Sequence, residues 1–188
     1  MKVVMNAVSA KMGGAIAYLR NFLPTLARMK STDEFVVFVQ SALQPLFADM
    51  PQNIKAEFSA RAEGGAVKRL LFDQWELRRF LKRSGADCLF STANFGVLMP
   101  GVPQVTSVRN PVYFSHDYYK HVADVEGRLA TAKVSARRKM VELSCASSEI
   151  VVTPTEAMRD MLLSWGAVDA KKCTVINHGF DRDFFISN

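Results

Sequence analysis

Two stretches of the sequence combine residue types that could do chemistry. The first, Asn6-Ala7-Val8-Ser9-Ala10-Lys11-Met12-Gly13-Gly14, ends in paired glycines directly before a helical pattern. Glycines at a helix start leave backbone N–H groups unshielded, and the helix dipole favours negative charge there, so a phosphate is the ligand such a turn would take. A tight turn without a ligand fits the same residues. Neither G-x-G-x-x-G nor G-x-x-x-x-G-K-[ST] is present, which argues against a dinucleotide fold and a P-loop NTPase. The second stretch, Arg109-Asn110-Pro111-Val112-Tyr113-Phe114-Ser115-His116-Asp117-Tyr118-Tyr119, crowds polar and aromatic groups into one segment. Sugar and other polar-ligand sites use this mixture: aromatic faces cover apolar ligand surface while Arg, Asn and Asp fix orientation by hydrogen bonds. A loop that merely closes over the edge of a sheet would look the same.

Other chemistries find little support. His116 and His121 stand five apart with Asp117 as the nearby carboxylate, whereas helical metal ligands pair at i, i+3 or i, i+4, so no metal is expected. There is no G-x-S-x-G elbow, and no cysteine neighbours a histidine as a thiolate nucleophile would. The cysteines Cys88, Cys145 and Cys173 are odd in number and widely spaced, which suits neither a disulfide framework nor a C-x-x-C pair, and points to a reducing cytosol. Each sits beside apolar residues and reads as a small buried hydrophobe.

The elements that must position these stretches are legible from runs of Val, Ile, Phe and Thr. Strands are predicted at Lys2 to Ala7, Glu34 to Gln40, Ile54 to Phe58, Asp87 to Ser91, Gln104 to Val108, Glu149 to Thr153 and Cys173 to Ile176. Continuous apolar runs, rather than strict alternation, belong to strands covered on both faces. Helical spacing fills Gly14 to Met29, Ala66 to Ser84, about Asp124 to Ala146, and Thr155 to Trp165. In the first of these, Ile16, Leu19, Phe22, Leu23, Leu26 and Met29 share one side. Gly85 and Gly166 stand where left-handed helix stops belong, and Thr155, after Pro154 and before Glu156, makes a good helix start. The fold expected is α/β: a doubly wound, mostly parallel, Rossmann-like sheet of about seven strands with helices on both faces. Ligands of such sheets bind outside the carboxyl ends of the strands, so function belongs in Val8 to Gly14, Thr92 to Gly96, Arg109 to Asp117 and Asn177 to Asp183.

Composition agrees with a globular chain: 188 residues, 49% hydrophobic, 22% charged, net charge +6. No apolar run approaches a membrane span or the core of a signal peptide, and a soluble, cytoplasmic protein is expected. The positive charge is concentrated. Ala66 to Ser84 holds Lys68, Arg69, Arg78, Arg79, Lys82 and Arg83 against Asp73 and Glu76. Lys120 to Glu142 holds Lys120, Arg128, Lys133, Arg137, Arg138 and Lys139 against Asp124, Glu126 and Glu142. A solvated face, then an anionic membrane surface, then nucleic acid fit these segments in that order. No recognition motif supports nucleic acid, which is not expected as a partner.

The last forty residues carry the most specific pattern. Glu149-Ile150-Val151-Val152-Thr153-Pro154-Thr155-Glu156-Ala157-Met158 leads to Trp165-Gly166-Ala167, then to Lys172-Cys173-Thr174-Val175-Ile176-Asn177-His178-Gly179-Phe180-Asp181 and Phe184. This resembles the interdomain junction of family 4 glycosyltransferases with the GT-B fold, where a "vvtpS" strand and helix precede a "kv.vi.nGvd...F" segment. Gly13-Gly14 before the first helix, and Ala86-Asp87-Cys88-Leu89-Phe90 resembling the family's "pDvvh" strand, stand in the family's order.

The resemblance implies an enzyme of two Rossmann-like domains. Residues 1–176 would be the N-terminal, acceptor-side domain and residues 177–188 the start of the interdomain linker. The C-terminal domain, with the family's E-x7-E element, would hold the nucleotide sugar, so the 188-residue chain by itself is expected to be inactive. The whole enzyme would move a sugar from a nucleotide-sugar co-substrate, without a metal cofactor, to a glycan or lipid-linked acceptor with retention, as in polysaccharide biosynthesis. By the same resemblance Gly13, Gly14, His178 and Gly179 would lie at the donor diphosphate and the hinge. Many members place a His at the end of the fifth strand, facing the donor sugar. Here the sequence reads Val108-Arg109-Asn110, a departure: either Asn110 supplies a similar hydrogen bond without titrating or the site is altered, and Asn110 and Arg109 are the residues expected at the chemistry. Asn94, Tyr113, His116 and Asp117 are expected on the acceptor. The basic helices add the expectation of a peripheral enzyme at the inner face of the cell membrane. Phe180, Phe184, Phe185 and Ile186 would be uncovered without a second domain. Three readings stay open beside the enzyme: a non-catalytic Rossmann-like module for an anionic metabolite, one subunit of a split transferase, and an assembly protein docking through its basic helices.

Overall fold

The computed structural model describes residues 1–179; the expectations for Phe180, Asp181, Phe184, Phe185 and Ile186 lie outside the described residues. The described residues divide into two compact units, Met1–Asp87 with Asn177, His178 and Gly179, and Cys88–Ile176.

In the first unit, β1 (Lys2–Asn6), β2 (Glu34–Val39) and β3 (Ile54–Phe58) lie in the order β3-β2-β1, all parallel. Val36 and Val37 of β2 face Val4 and Met5 on one side and Lys55 and Ala56 on the other in register. Phe35 to Val39 are buried without a break, the mark of a strand covered on both faces. Helix α1 (Gly14–Met29) buries Leu19, Leu23 and Ala27, one residue per turn. Met29, expected on that side, is exposed, because the inward stripe passes through Ala27 instead. After β3, α2 (Ala66–Leu71) and α3 (Arg78–Ser84) flank a π-helical turn, Phe72–Leu77, where the sequence predicts one plain helix. Gly85 ends α3 at φ 64°, the left-handed stop expected of it.

The second unit holds β4 (Cys88–Ser91), β5 (Gln104–Ser107), β6 (Ile150–Thr153) and β7 (Cys173–Val175), paired in chain order and again all parallel. The seven strands are those predicted, each within two residues at either end. The α/β class and Rossmann-like pattern hold in both units.

Between β5 and β6 the structure departs from expectation. Pro111–Tyr113 form a 3-10 turn, and α4 (His116–His121) begins inside the segment read as a loop, with Ser115 accepting from the Tyr118 N–H at 3.2 Å. A π-helical turn, Val122–Glu126, follows, and Gly127 at φ 82° breaks the helix. So α5 runs Arg128–Ala146 rather than starting near Asp124: a glycine at positive φ outweighs a continuing helical pattern. Helix α6 (Glu156–Ser164) starts as predicted, Thr155 accepting from the Met158 N–H at 3.1 Å, and Gly166 follows at φ 62°. The core of this unit joins Val108, Phe114, Val141, Cys145, Val151, Met158, Leu162 and Ala167. Cys145 is fully buried as expected, whereas Cys88 and Cys173 are only partly so.

Candidate functional site

In the first unit the glycine pair stands at the start of α1. Gly13 caps α1 at φ 59°, a conformation that L side chains rarely adopt, and Gly14 is the first helical residue. No side chain caps this end, and a Cβ built on either glycine would meet nothing within 4 Å. The first N–H groups of an α-helix have no partner within the helix, so this is an open, positively polarised backbone surface. One turn on, Tyr18 stacks on Phe22 with centroids 5.0 Å apart and meets His178 edge-on at 5.9 Å. Thus His178, from the far end of the chain, is held beside the first turns of α1. Gly179 follows with open space around it. Tyr18 was not singled out from the sequence; its place one helical turn after Gly14 was the available signal.

Also in the first unit, beyond the carboxyl end of β1, is a network that sequence reasoning missed. Asp73, 4% exposed, accepts from Asn6 Nδ2 at 2.8 Å and from Arg69 Nε at 2.9 Å, while Arg69 donates to Asn6 Oδ1 at 3.2 Å. Burial pushes the Asp73 carboxyl up from its ordinary value, against the opposing pull of Arg69 and Asn6. The signal was an i, i+4 Arg–Asp pair inside an otherwise basic helix.

In the second unit, the carboxyl ends of β4 and β5 are joined by Asn94. It sits at φ 57°, in the left-handed region that Asn tolerates better than most residues. Its Oδ1 accepts from the backbone N–H of Arg109 at 2.9 Å and of Asn110 at 3.0 Å. That oxygen is occupied, so Asn94 acts first by fixing where Arg109 and Asn110 emerge from β5. Asn110 Oδ1 in turn accepts from the Val112 N–H at 3.1 Å and caps the 3-10 turn. Tyr113 packs on Phe95, the neighbour of Asn94, with centroids 5.9 Å apart. The structure therefore gathers Asn94, Arg109, Asn110 and Tyr113 at one set of strand ends.

His116 and Asp117 are held by α4 instead. Asp117 is exposed in its first turn, where a carboxylate suits the helix dipole. His116 stacks on Trp165, 4.3 Å between centroids and 16° between planes. The same indole lies 4.0 Å from the Arg138 guanidinium carbon and donates its Nε1–H to the Phe114 carbonyl at 2.7 Å. Arg138, read from the sequence as part of a basic face, is thus drawn onto aromatic rings. Among the described residues no group of three or more His, Cys, Asp or Glu is placed to hold a metal ion. Burial, with smaller effects of Cys173 and Glu142, pushes the Cys145 thiol up to about 12, which makes it inert near neutral pH.

Comparison with known proteins agrees with this architecture. The sequence model of Glycosyltransferase Family 4 matches residues 12–184, and the chain belongs to that family. No curated protein matches the sequence significantly. Solved structures share the fold at low identity. A glycosyltransferase from Rickettsia africae is 12% identical with a TM-score of 0.56, covering 98% of this chain and 45% of that one. A UDP-glucose:anthocyanidin 3-O-glucosyltransferase in complex with UDP is 10% identical at 0.57, with 94% and 52% covered. A UDP-GlcNAc 2-epimerase from Methanocaldococcus jannaschii is 11% identical at 0.56, with 93% and 44% covered. This chain spans about half the length of each. Transferases and an epimerase alike share the fold, so the family match is what distinguishes a sugar-transfer module.

Proposed function

We propose that this chain is the acceptor-binding half of a nucleotide-sugar-dependent glycosyltransferase. In this reading it forms the N-terminal domain, and a C-terminal domain supplies most of the donor contacts. Support comes from the family match over residues 12–184 and from the uncapped, unshielded helix start at Gly13 and Gly14, which is the single structural observation that carries the reading. Sugar nucleotides present a diphosphate, the ligand chemistry that such a helix start takes. The comparison structures include proteins whose names carry UDP-glucose and UDP-GlcNAc, which makes a uridine diphosphate sugar the donor class to try first.

The acceptor, a glycan or a lipid-linked sugar, is assigned to the strand ends around Asn110, Arg109 and Tyr113. Asn110 and Arg109 stand nearest the transfer, and Asn94 positions both. No protein nucleophile is assigned. In a retaining reaction the acceptor hydroxyl would attack the anomeric carbon from the face that the nucleoside diphosphate leaves, and its proton would pass to the departing phosphate. His116 and Asp117 belong to the outer part of the acceptor region, and His178 with Gly179 to the donor end. No metal has a role in this scheme.

Gly14→Asp in the full-length protein tests it. Gly14 has ordinary helical φ and open space, so the variant should fold, and an aspartate at a helix start is itself stabilising. Its carboxylate would repel a diphosphate there, so the donor KM should rise by about tenfold or more with the melting temperature unchanged. An unchanged donor KM would remove the diphosphate from this helix start.

A further inference from the structure

The outward face of α2 and α3 carries features that the transfer reaction does not use. Val67 is 72% exposed, Leu71 50% and Trp75 66%, at four-residue intervals along one helical run. Beside Trp75 lies a groove of about 480 Å³ lined by Arg61, Arg79 and Arg83 together with Glu76, Phe80 and Ser84. None of the three arginines makes an ion pair among the described residues. Three arginines converge on this groove against the single carboxylate of Glu76, which leaves a net positive field there.

We infer that this face docks on an anionic phospholipid bilayer, with a lipid phosphate seated among Arg61, Arg79 and Arg83 and Trp75 entering the headgroup boundary. The charge complementarity is direct, since guanidinium groups match phosphate oxygens in pairs. The apolar residues decide between partners. A nucleic acid or a free phosphate would use the arginines but gain nothing from exposed Val67 and Leu71, whereas a bilayer accepts both groups on one surface and favours an indole at its interface. The inference goes beyond the proposed function: it gives a surface to the peripheral attachment expected from the basic helices, and it is read without any donor or acceptor.

Cosedimentation of the 188-residue chain with vesicles tests it. Binding is expected to vesicles of phosphatidylglycerol mixed with phosphatidylcholine, not to phosphatidylcholine alone, and should weaken as salt is added. Arg61→Gln, Arg79→Gln and Arg83→Gln combined should weaken it roughly a hundredfold. The same charge removed elsewhere, by Arg128→Gln, Lys133→Gln and Arg137→Gln, should cost much less, and circular dichroism checks that both variants fold. Tryptophan emission should shift to the blue on the vesicles, and Trp75→Phe should abolish the shift although Trp165 remains. Equal binding to neutral vesicles, equal loss in the two triple variants, or tighter binding to a single-stranded oligonucleotide would each overturn the proposal. Failure of the unaltered chain to bind the anionic vesicles, with transfer to a soluble acceptor intact in the full-length protein, would sink this surface alone and leave the transferase reading standing.

Discussion

Asp73 shows how much a single side chain can hold when both its oxygens are occupied. Asn6 Nδ2 and Arg69 Nε each donate to one oxygen, and Arg69 also donates to the Asn6 carbonyl oxygen. In Asp73→Asn one of those oxygens becomes an NH2 group that must face a donor. Turning the Asn6 amide round does not help, because Arg69 would then meet its nitrogen. The variant should lose about 2 kcal/mol of stability, read as a lower urea midpoint with an unchanged slope. The pH dependence runs in a fixed direction. Because burial raises the carboxyl above its unfolded value of 3.8, Asp73's own contribution to stability is greatest below that value and declines as pH rises through the raised one. An unchanged urea midpoint would mean that the triangle is not holding α2 to β1. At this scale the sequence was a partial guide. The placement of Gly13 and Gly14 at a helix start and of Arg109 and Asn110 beyond a strand end was legible because backbone freedom and strand-end position leave marks in residue type. The meeting of Asn6 with the Arg69–Asp73 pair and the His116–Trp165–Arg138 stack were not, since each joins residues far apart in the chain by contacts no local pattern encodes.

At the scale of elements, the strands were readable because short runs rich in β-branched and aromatic residues, too short for a helix, lie between turn residues; β2, buried from Phe35 to Val39, is the clearest, whereas β3 and β7 are largely uncovered. The misread boundaries all lie where backbone hydrogen bonding leaves the α pattern: the two π-helical turns, the 3-10 turn after Asn110, and Gly127. A π turn has no residue signature of its own, so the helix from Ala66 to Ser84 looked unbroken. Side-chain hydrogen bonds also lock elements together. Gln104, 1% exposed, accepts from the Val97 N–H at 2.8 Å and donates to Val97 O at 3.1 Å and Ser148 Oγ at 3.2 Å, tying β5 to the segment after β4 and to the end of α5. Gly96 lies against this knot: a Cβ there would come within 2.8 Å of Gln104 Nε2 and of Thr106 Oγ1. Gly96→Ala should therefore cost about 1–3 kcal/mol, seen as a lowered thermal midpoint. A neutral result would mean that the loop can lift away without breaking the Gln104 bonds.

For the whole molecule, the match to Glycosyltransferase Family 4 and the half-length coverage of the comparison structures frame the expectation for activity. The 188-residue chain should turn over no sugar nucleotide by itself, because in the proposed enzyme most donor contacts belong to a further domain; a donor-hydrolysis assay beside the full-length protein checks this. Turnover by the short chain at the full-length rate would move the donor site onto these residues. The global features legible in sequence were class and charge: an α/β chain of net +6 with its basic residues concentrated in two helical runs. What charge counting could not separate was the use of each run, since Arg138 and Arg69 turn inward to rings and a carboxylate while Arg79 and Arg83 face outward.

The π-helical turn at Phe72–Leu77 has one more consequence. Such a turn fits an extra residue into the helix, and removing one would advance everything after it by about 100° around the axis. Leu77 and Leu81, now fully covered, would swing outward, and Arg79 and Arg83 would leave the side that carries Trp75. An ungapped alignment of this helix with a relative that lacks the turn would therefore pair inward residues with outward ones from Arg78 onward, and would hide the basic groove in any comparison made by position alone.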